Sequence, residues 1–231
     1  MTDAETTARV RAYTEALLAR GTVLAASDGM ERQLAPVAIG PAEGGALRDW
    51  VVRVGARRSI EVGLGFAVST LFICEGLVAN GPVGRHVAID PFQLTPSPNA
   101  GTTYAGVGLQ VLEEAGVRDL VEFVDGESQL VLPRLLGDGR RFDFAFVDGN
   151  HRFEAVFLDL VYLARLLEPG SIVFVDDTQL TAIRKAVDFC IRNLGWSVNE
   201  EGAEGDVHQW LVLRTGPADR FLRRFTEFTD F

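Results

Sequence analysis

Residues 142–177 read FDFAFVDGNHRFEAVFLDLVYLARLLEPGSIVFVDD. An apolar run ends in Asp148-Gly149, a stretch with helical spacing follows, and a second apolar run ends in Asp176-Asp177. Near-continuous apolar strands joined through a helix predict parallel neighbours covered on both faces. The same alternation continues outward. Before it stand SIEVG with VSTLFICEGLVANG, HVAID with a Pro-rich loop and GVGLQVLEEAG, and LVEFVDG with SQLVLPRLLGDG; after it stands LTAIRKAVDFCIRNLG. Serial β-then-α units predict an α/β fold, a parallel sheet with helices on both faces. Their strands end in Gly or Asp, as expected where a sheet's carboxyl edge borders a ligand crevice. Two further strands are expected at 196–199 and 208–214, antiparallel to each other, with EEGAEGD between them as a hairpin linker. That makes seven strands. Upstream, Val10, Tyr13, Leu17 and Leu18 mark a helix over 6–20, stopped by Gly21. Residues 22–42, with Pro36, Gly40 and Pro41, read as a loop with room for a short helix, and Leu47, Trp50, Val51 and Val54 mark a helix over 45–54. A last amphipathic helix is expected over 217–228. The organisation expected is an N-terminal helical extension, 1–44, ahead of one ligand-binding domain, 45–231.

The 231 residues are 47% hydrophobic and 23% charged, which suits a globular chain with a core that needs no covalent staple. The net charge of −10 argues against a grip on nucleic-acid phosphates. The longest uncharged apolar stretch, 62–74, has 13 residues and is too short to span a bilayer. With no apolar signal core near the start, and Cys74 and Cys190 both set among apolar residues, a cytoplasmic setting is expected. Lys185 is the one lysine, so lysine chemistry has almost no candidates.

Four motifs carry chemistry. Glu61-Val62-Gly63-Leu64-Gly65-Phe66 closes one strand and opens a helix, and its glycines allow a sharp turn close to a nucleotide. The dinucleotide fingerprint would want a third glycine where Val68 stands. Glu61 instead suits a ligand carrying a positive amino group; the plainer alternative is an ordinary β–α turn. Asp90, at the tip of the next strand, is placed to accept ribose hydroxyls, or else is a turn residue before Pro91. In Asp125-Gly126-Glu127-Ser128-Gln129 a hydroxyl or amide could meet an adenine edge, although Asp-Gly is also a common turn signal. Asp148, Asp176 and Asp177 end strands expected to be adjacent, and three converging carboxylates call for a cation. Oxygen ligands suit magnesium or a similar hard ion. His151 lies at the rim of that cleft, placed for proton transfer near neutral pH. Read blandly, these carboxylates are strand-end and helix caps and His151 a surface residue. His86 reads as a half-buried edge residue, His208 as structural, and Phe142, Phe144, Phe146, Phe153 and Phe157 as core.

Together these residues resemble the class I S-adenosylmethionine-dependent methyltransferases. Within them, the chain is most similar to cation-dependent O-methyltransferases of the catechol and caffeoyl-coenzyme A type, and to related enzymes of actinobacterial natural-product pathways. The resemblance covers roughly 42–214, opening with AEGGALRDWVVRVGARRSIEVGLGFAVSTL. It implies the strand order 3-2-1-4-5-7-6. It implies that Ser69 contacts the methionine carboxylate, that Glu61, Gly63, Gly65 and Asp148 border the cofactor, and that Asp90 holds the ribose. Gly126, Glu127, Ser128 and Gln129 fall on the adenine segment, and Asp148, Asp176 and Asp177 on the metal ligands. The catechol enzymes carry a lysine three residues past the first metal Asp, where this chain has His151 as general base. Residues 95–108 align with nothing in the family and are expected to shape the acceptor pocket.

The expectation is therefore S-adenosylmethionine- and magnesium-assisted methylation of a small-molecule hydroxyl. The alternatives are a metal-independent methyltransferase and a nicotinamide oxidoreductase, against which stand Val68 and the acidic cluster; a silent adenosine-binding module would not need that cluster. Leu24, Met30, Leu34, Val37 and Ile39 suggest more apolar surface than one sheet covers, hence a homodimer.

Overall fold

The computed structural model describes residues 2–81, 84–95, 104–205, 208–217 and 226–231. Seven strands form one mixed sheet in the order β5-β4-β3-β6-β7-β9-β8, which is the expected order when strands are counted from Ser59. By contacts the chain divides into two compact units, Met1–Glu127 and Ser128–Phe231.

The first unit opens with α1 (Asp3–Arg20). Thr2 and Glu5 form a reciprocal capping box, which starts this helix three residues before the apolar spacing does. Residues 22–42 are not the expected loop with a short helix. They contain a two-stranded antiparallel ladder, β1 (Thr22–Leu24) with β2 (Glu31–Gln33). Strands of three residues are too short to show a period. α2 (Pro41–Arg53) begins four residues earlier than expected, because Pro41 takes the first helical position, where its missing N–H is no loss. β3 (Arg58–Val62), β4 (Arg85–Ile89) and β5 (Val121–Val124) are parallel, β4 lying between the other two. α3 (Val68–Ala79) and α4 (Val107–Ala115) supply the crossovers. α3 is packed by both α1 and α2, and is buried from Val68 to Val78. Leu34 and Ile39 are buried, while Leu24, Met30 and Val37 are exposed, so only part of the expected apolar surplus reaches the surface.

His86 is a correction. It is wholly buried, since β4 has a strand on either side and offers no edge.

The second unit contains α5 (Ser128–Gly137), β6 (Phe142–Val147), α6 (Phe153–Leu166), β7 (Leu167–Val175) and α7 (Thr181–Leu194). The terminal hairpin is β8 (Ser197–Glu204) and β9 (His208–Arg214). β6 and β7 are parallel; β9 runs antiparallel to β7 and to β8. Residues 200–204, expected to be linker, belong to β8 and pair with β9 as far as Glu204 opposite His208. Phe144, Phe146 and Phe174 fill the core; Phe153 instead lies 38% exposed, stacked on Phe157. The helix expected over 217–228 falls largely outside the described residues, as does most of 95–108.

At Gly76 α2 and α3 approach closely: a Cβ there would stand 2.7 Å from Val51 Cγ1 and 3.1 Å from the Arg48 carbonyl. Gly76→Ala should gain helix propensity yet lose more to overpacking, a net destabilisation of about 1–3 kcal/mol. Urea denaturation of the two proteins measures it.

Candidate functional site

In the first unit the chain leaves β3 through Gly63 and Gly65, with φ of 97° and 50°, values that suit glycine. This turn leaves backbone donors that need an acceptor, and Asp90, one residue past β4, supplies it. Asp90 Oδ2 accepts from Leu64 N at 3.1 Å and Gly65 N at 2.8 Å, and Oδ1 accepts from Phe92 N at 2.6 Å. Burial pushes the Asp90 carboxyl above its usual range, and these hydrogen bonds oppose the rise without cancelling it. Each carboxylate oxygen carries two lone pairs, so Oδ1 keeps acceptor capacity for a ligand hydroxyl. Gln93, fully buried, ties the turn down further. Its Nε2 donates to the Gly65 carbonyl at 2.8 Å, and its Oε1 accepts from Gly108 N at 3.1 Å.

Behind the turn lies a closed polar cluster. Glu61 in β3 is wholly buried and accepts from the hydroxyls of Ser69, at 3.1 Å, and Thr70, both in the first turn of α3. His86 Nε2 lies 3.1 Å from Glu61 Oε1, and Ser59 Oγ lies 2.8 Å from His86 Nδ1. Ser59 and His86 face each other because the parallel register pairs them across β3 and β4. Glu61 therefore serves the interior. Gly126 is half-buried and Glu127 exposed where the first unit ends.

The second unit begins with Ser128, nearly buried, whose hydroxyl lies 3.3 Å from Gln129 Oε1. At the carboxyl ends of β6 and β7 the structure groups Asp148, His151 and Asp177, with one donor atom of each within 4.8 Å of the others. His151 Nε2 stands 3.0 Å from Asp177 Oδ2 and 3.5 Å from Asp148 Oδ1. Hydrogen bonds to Asp148 and Asp177 push the His151 imidazole up to about 10. Burial alone would raise Asp177, but the His151 hydrogen bond and charge outweigh it and hold that carboxyl low. Asp177 also adopts the left-handed conformation, φ 55°, uncommon outside glycine. Asp176 does not join this group. It is 97% buried, and its Oδ1 accepts from Asp177 N at 2.6 Å. The Asp148 and Asp177 carboxylates offer oxygen donors that fit a divalent cation, with His151 beside them.

Three residues with polar roles escaped the sequence reading. Gln93 sits in an irregular loop without periodicity. His86 could have been suspected, since a histidine facing a serine across two apolar strands needs a partner. Asp159 interrupts the apolar face of α6, and this is a signal in its own right. It is 1% exposed, and burial pushes it up to about 6, opposed only in part by Ser128.

Comparison with known proteins agrees with this geometry. The family described as "Methyltransferase domain" matches residues 60–178. A catechol O-methyltransferase of Mycobacterium tuberculosis is 31% identical over 69% of this chain and 64% of its own length. Tricin synthase 2 of Oryza sativa is 31% identical over 60% of this chain and 44% of its own length. The chain thus spans about half to two thirds of these curated relatives. Among solved structures, the O-methyltransferase TomG of Streptomyces achromogenes, in complex with SAM, superposes with a TM-score of 0.68 at 19% identity, covering 90% of each chain. An O-methyltransferase of Bacillus cereus in complex with SAH gives 0.64 at 19% identity, covering 91% of this chain and 90% of that one. At such identity the likeness concerns the fold.

Asp159 makes a pH-dependent prediction. Its folded pKa lies above the unfolded value, so the stability it permits is complete below about pH 4 and lost as pH rises through about 6. Asp159→Asn cannot ionise. It should be more stable than wild type at pH 8, by up to about 3 kcal/mol, with the advantage shrinking below pH 6. Denaturation curves at pH 5 and pH 8 supply the comparison.

Proposed function

Because this chain belongs to the methyltransferase-domain family, we propose that it transfers a methyl group from S-adenosylmethionine to the hydroxyl of a small molecule, assisted by a divalent cation such as magnesium. The observation that carries this reading is that the matched segment, 60–178, contains both the glycine turn clamped by Asp90 and the Asp148–His151–Asp177 group. The SAM and SAH named for two similar folds, and the catechol enzyme among the relatives, support the same chemistry.

When bound, the cofactor supplies an electrophilic methyl on sulfur and the cation lowers the acceptor's pKa. The chain's own residues bind and orient. Gly63 and Gly65 let the backbone approach the cofactor, with Ser69 at its amino-acid end. Asp90 accepts from the ribose while holding the turn, and the segment of Gly126, Glu127, Ser128 and Gln129 meets the adenine. Asp148 and Asp177 hold the cation, with Asp176 supporting Asp177 from below. Were a cation to engage those carboxylates, the hydrogen bonds that raise His151 would be weakened, and its ring would be free to take the acceptor's proton. A second reading has one observation in its favour: the His151 side chain already offers positive charge to Asp148 and Asp177, as a metal-independent enzyme would need.

The domain assigned is 45–231, with 1–44 as a helical extension. Leu24, Met30 and Val37 form the exposed apolar surface proposed to pair two copies. Two buried free thiols, and no helix among the described residues long and apolar enough to cross a membrane, support a cytoplasmic setting.

Asp90→Ala should weaken cofactor binding by roughly 1.5–3 kcal/mol, read by calorimetry with S-adenosylhomocysteine. Methylation of a panel of phenols should fall to background in excess chelator and return with magnesium; activity that survives chelation supports the second reading. His151→Ala should lower turnover by roughly 10²–10⁴-fold with cofactor affinity nearly unchanged. A variant with wild-type turnover returns His151 to the surface residues.

A further inference from the structure

Both backbone polar groups of Gly65, the second glycine of the turn, are taken by one short segment, 90–93. The Gly65 N–H donates to Asp90 Oδ2 at 2.8 Å, and the Gly65 carbonyl accepts from Gln93 Nε2, also at 2.8 Å. The same nitrogen comes within 3.4 Å of Asp90 Oδ2 and favours the charged form of that carboxyl. The other end of the amide meets the start of α4. Gln93 Oε1 accepts from Gly108 N at 3.1 Å, and the Gln93 backbone carbonyl accepts from Gly106 N at 2.8 Å. The direction of this amide is fixed by its partners. A backbone carbonyl only accepts and a backbone N–H only donates, so the reversed amide would set oxygen against the Gly65 carbonyl and NH2 against the Gly108 N–H. Gln93 has no exposed surface, so a bound ligand does not compete for either end. The fit leaves no slack: a Cβ on Gly108 would stand 2.6 Å from the Gly65 carbonyl and 2.9 Å from Gln93 Oε1.

A glycine at φ 50° rotates at little steric cost. Asp90 holds its N–H side alone, and a carboxylate that must follow a rotating turn loses its own direction. Gln93 closes the other side, so that the Gly65 peptide groups, the Asp90 carboxylate and the α4 entrance move as one piece. Direction matters for what Asp90 does, because a hydrogen bond weakens steeply as its angle departs from linear. We propose that Gln93 is a positioning residue for the cofactor's ribose: without touching the ligand, it fixes where the Asp90 carboxylate points by holding the far side of Gly65 and the start of α4. The proposal rests on the S-adenosylmethionine reading above, and on Asp90 as the ribose acceptor within it.

The test is a ligand cycle by calorimetry, with wild type and Gln93→Met, which keeps the length of the side chain and loses both hydrogen bonds. The probes are S-adenosylhomocysteine and its analogue with both ribose hydroxyls replaced by hydrogen. Wild type should prefer the first by roughly 10–100-fold, the range for a hydrogen bond to a charged group. Gln93→Met should cut that preference by roughly 3–10-fold, as expected for groups coupled in one network, while binding the dideoxy analogue nearly as wild type does. Gly108→Ala, which drives a methyl against the same contacts from the α4 side, should cut it in the same way and serves if Gln93→Met does not fold. A brace that only holds the fold together would weaken both probes alike, and that result, or an unchanged preference in the variants, overturns the proposal. Equal affinity of wild type for the two probes would overturn it along with the assignment of Asp90 to the ribose. Failure of folded wild-type protein to bind S-adenosylhomocysteine at all would instead remove the cofactor reading itself.

Discussion

The first unit is organised by the bond between the Asp90 carboxylate and the backbone N–H groups of Leu64 and Gly65. A strand that turns at once into a helix leaves donors facing inward, and buried donors without acceptors are costly. One side chain from the neighbouring strand answers two of them. The position of the glycine turn, the entry of α3 and the seating of α4 on the turn through Gln93 all follow. A Cβ at Gly108 would stand 2.6 Å from the Gly65 carbonyl, so α4 is pressed as closely as the backbone allows. The residue proposed to hold the ribose is also the residue that fixes the glycine turn.

The rest of the interior carries an unusual load of acid. Glu61 is matched by two hydroxyls, with His86 Nε2 3.1 Å away, and Glu75, 1% exposed, by Arg11 at 2.6 Å. Burial pushes Asp159 up to about 6, and the Ser128 hydrogen bond offsets this only in part. Buried acids that are fully hydrogen-bonded fix orientation, while those that are not weaken the fold around them. The two kinds stand in the same chain, Glu61 behind the glycine turn and Glu75 against α1, with Asp159 beneath the start of α5.

Much of this architecture was legible from residue order alone, because a buried parallel strand and its crossover helix are written in local hydrophobicity. The five apolar runs that end in Gly or Asp are the five strands β3 to β7, and their tips carry Asp90, Asp148 and Asp176. What failed to show was set by distance or by neighbours. The β1–β2 ladder is too short to have a period, and β8 is masked by glutamates that read as a turn. His86 looks peripheral until β5 is laid against β4. Glu61 reads as a ligand contact, yet its donors come from α3, eight and nine residues on, and turn it inward. His151 and the carboxylates were legible as a group. That Asp177, rather than Asp176, faces the imidazole depends on one left-handed residue, a backbone detail that residue type does not announce.

Among the described residues β8 lies at the end of the sheet, with no strand beyond it. Such an edge is a template on which other chains can polymerise. Here it reads SVNEEGAE, with three glutamates along eight residues. A second copy laid alongside would bring one acidic strand against another, which disfavours that pairing. The charge that disguised this strand in the sequence thus disfavours edge-to-edge growth of the sheet.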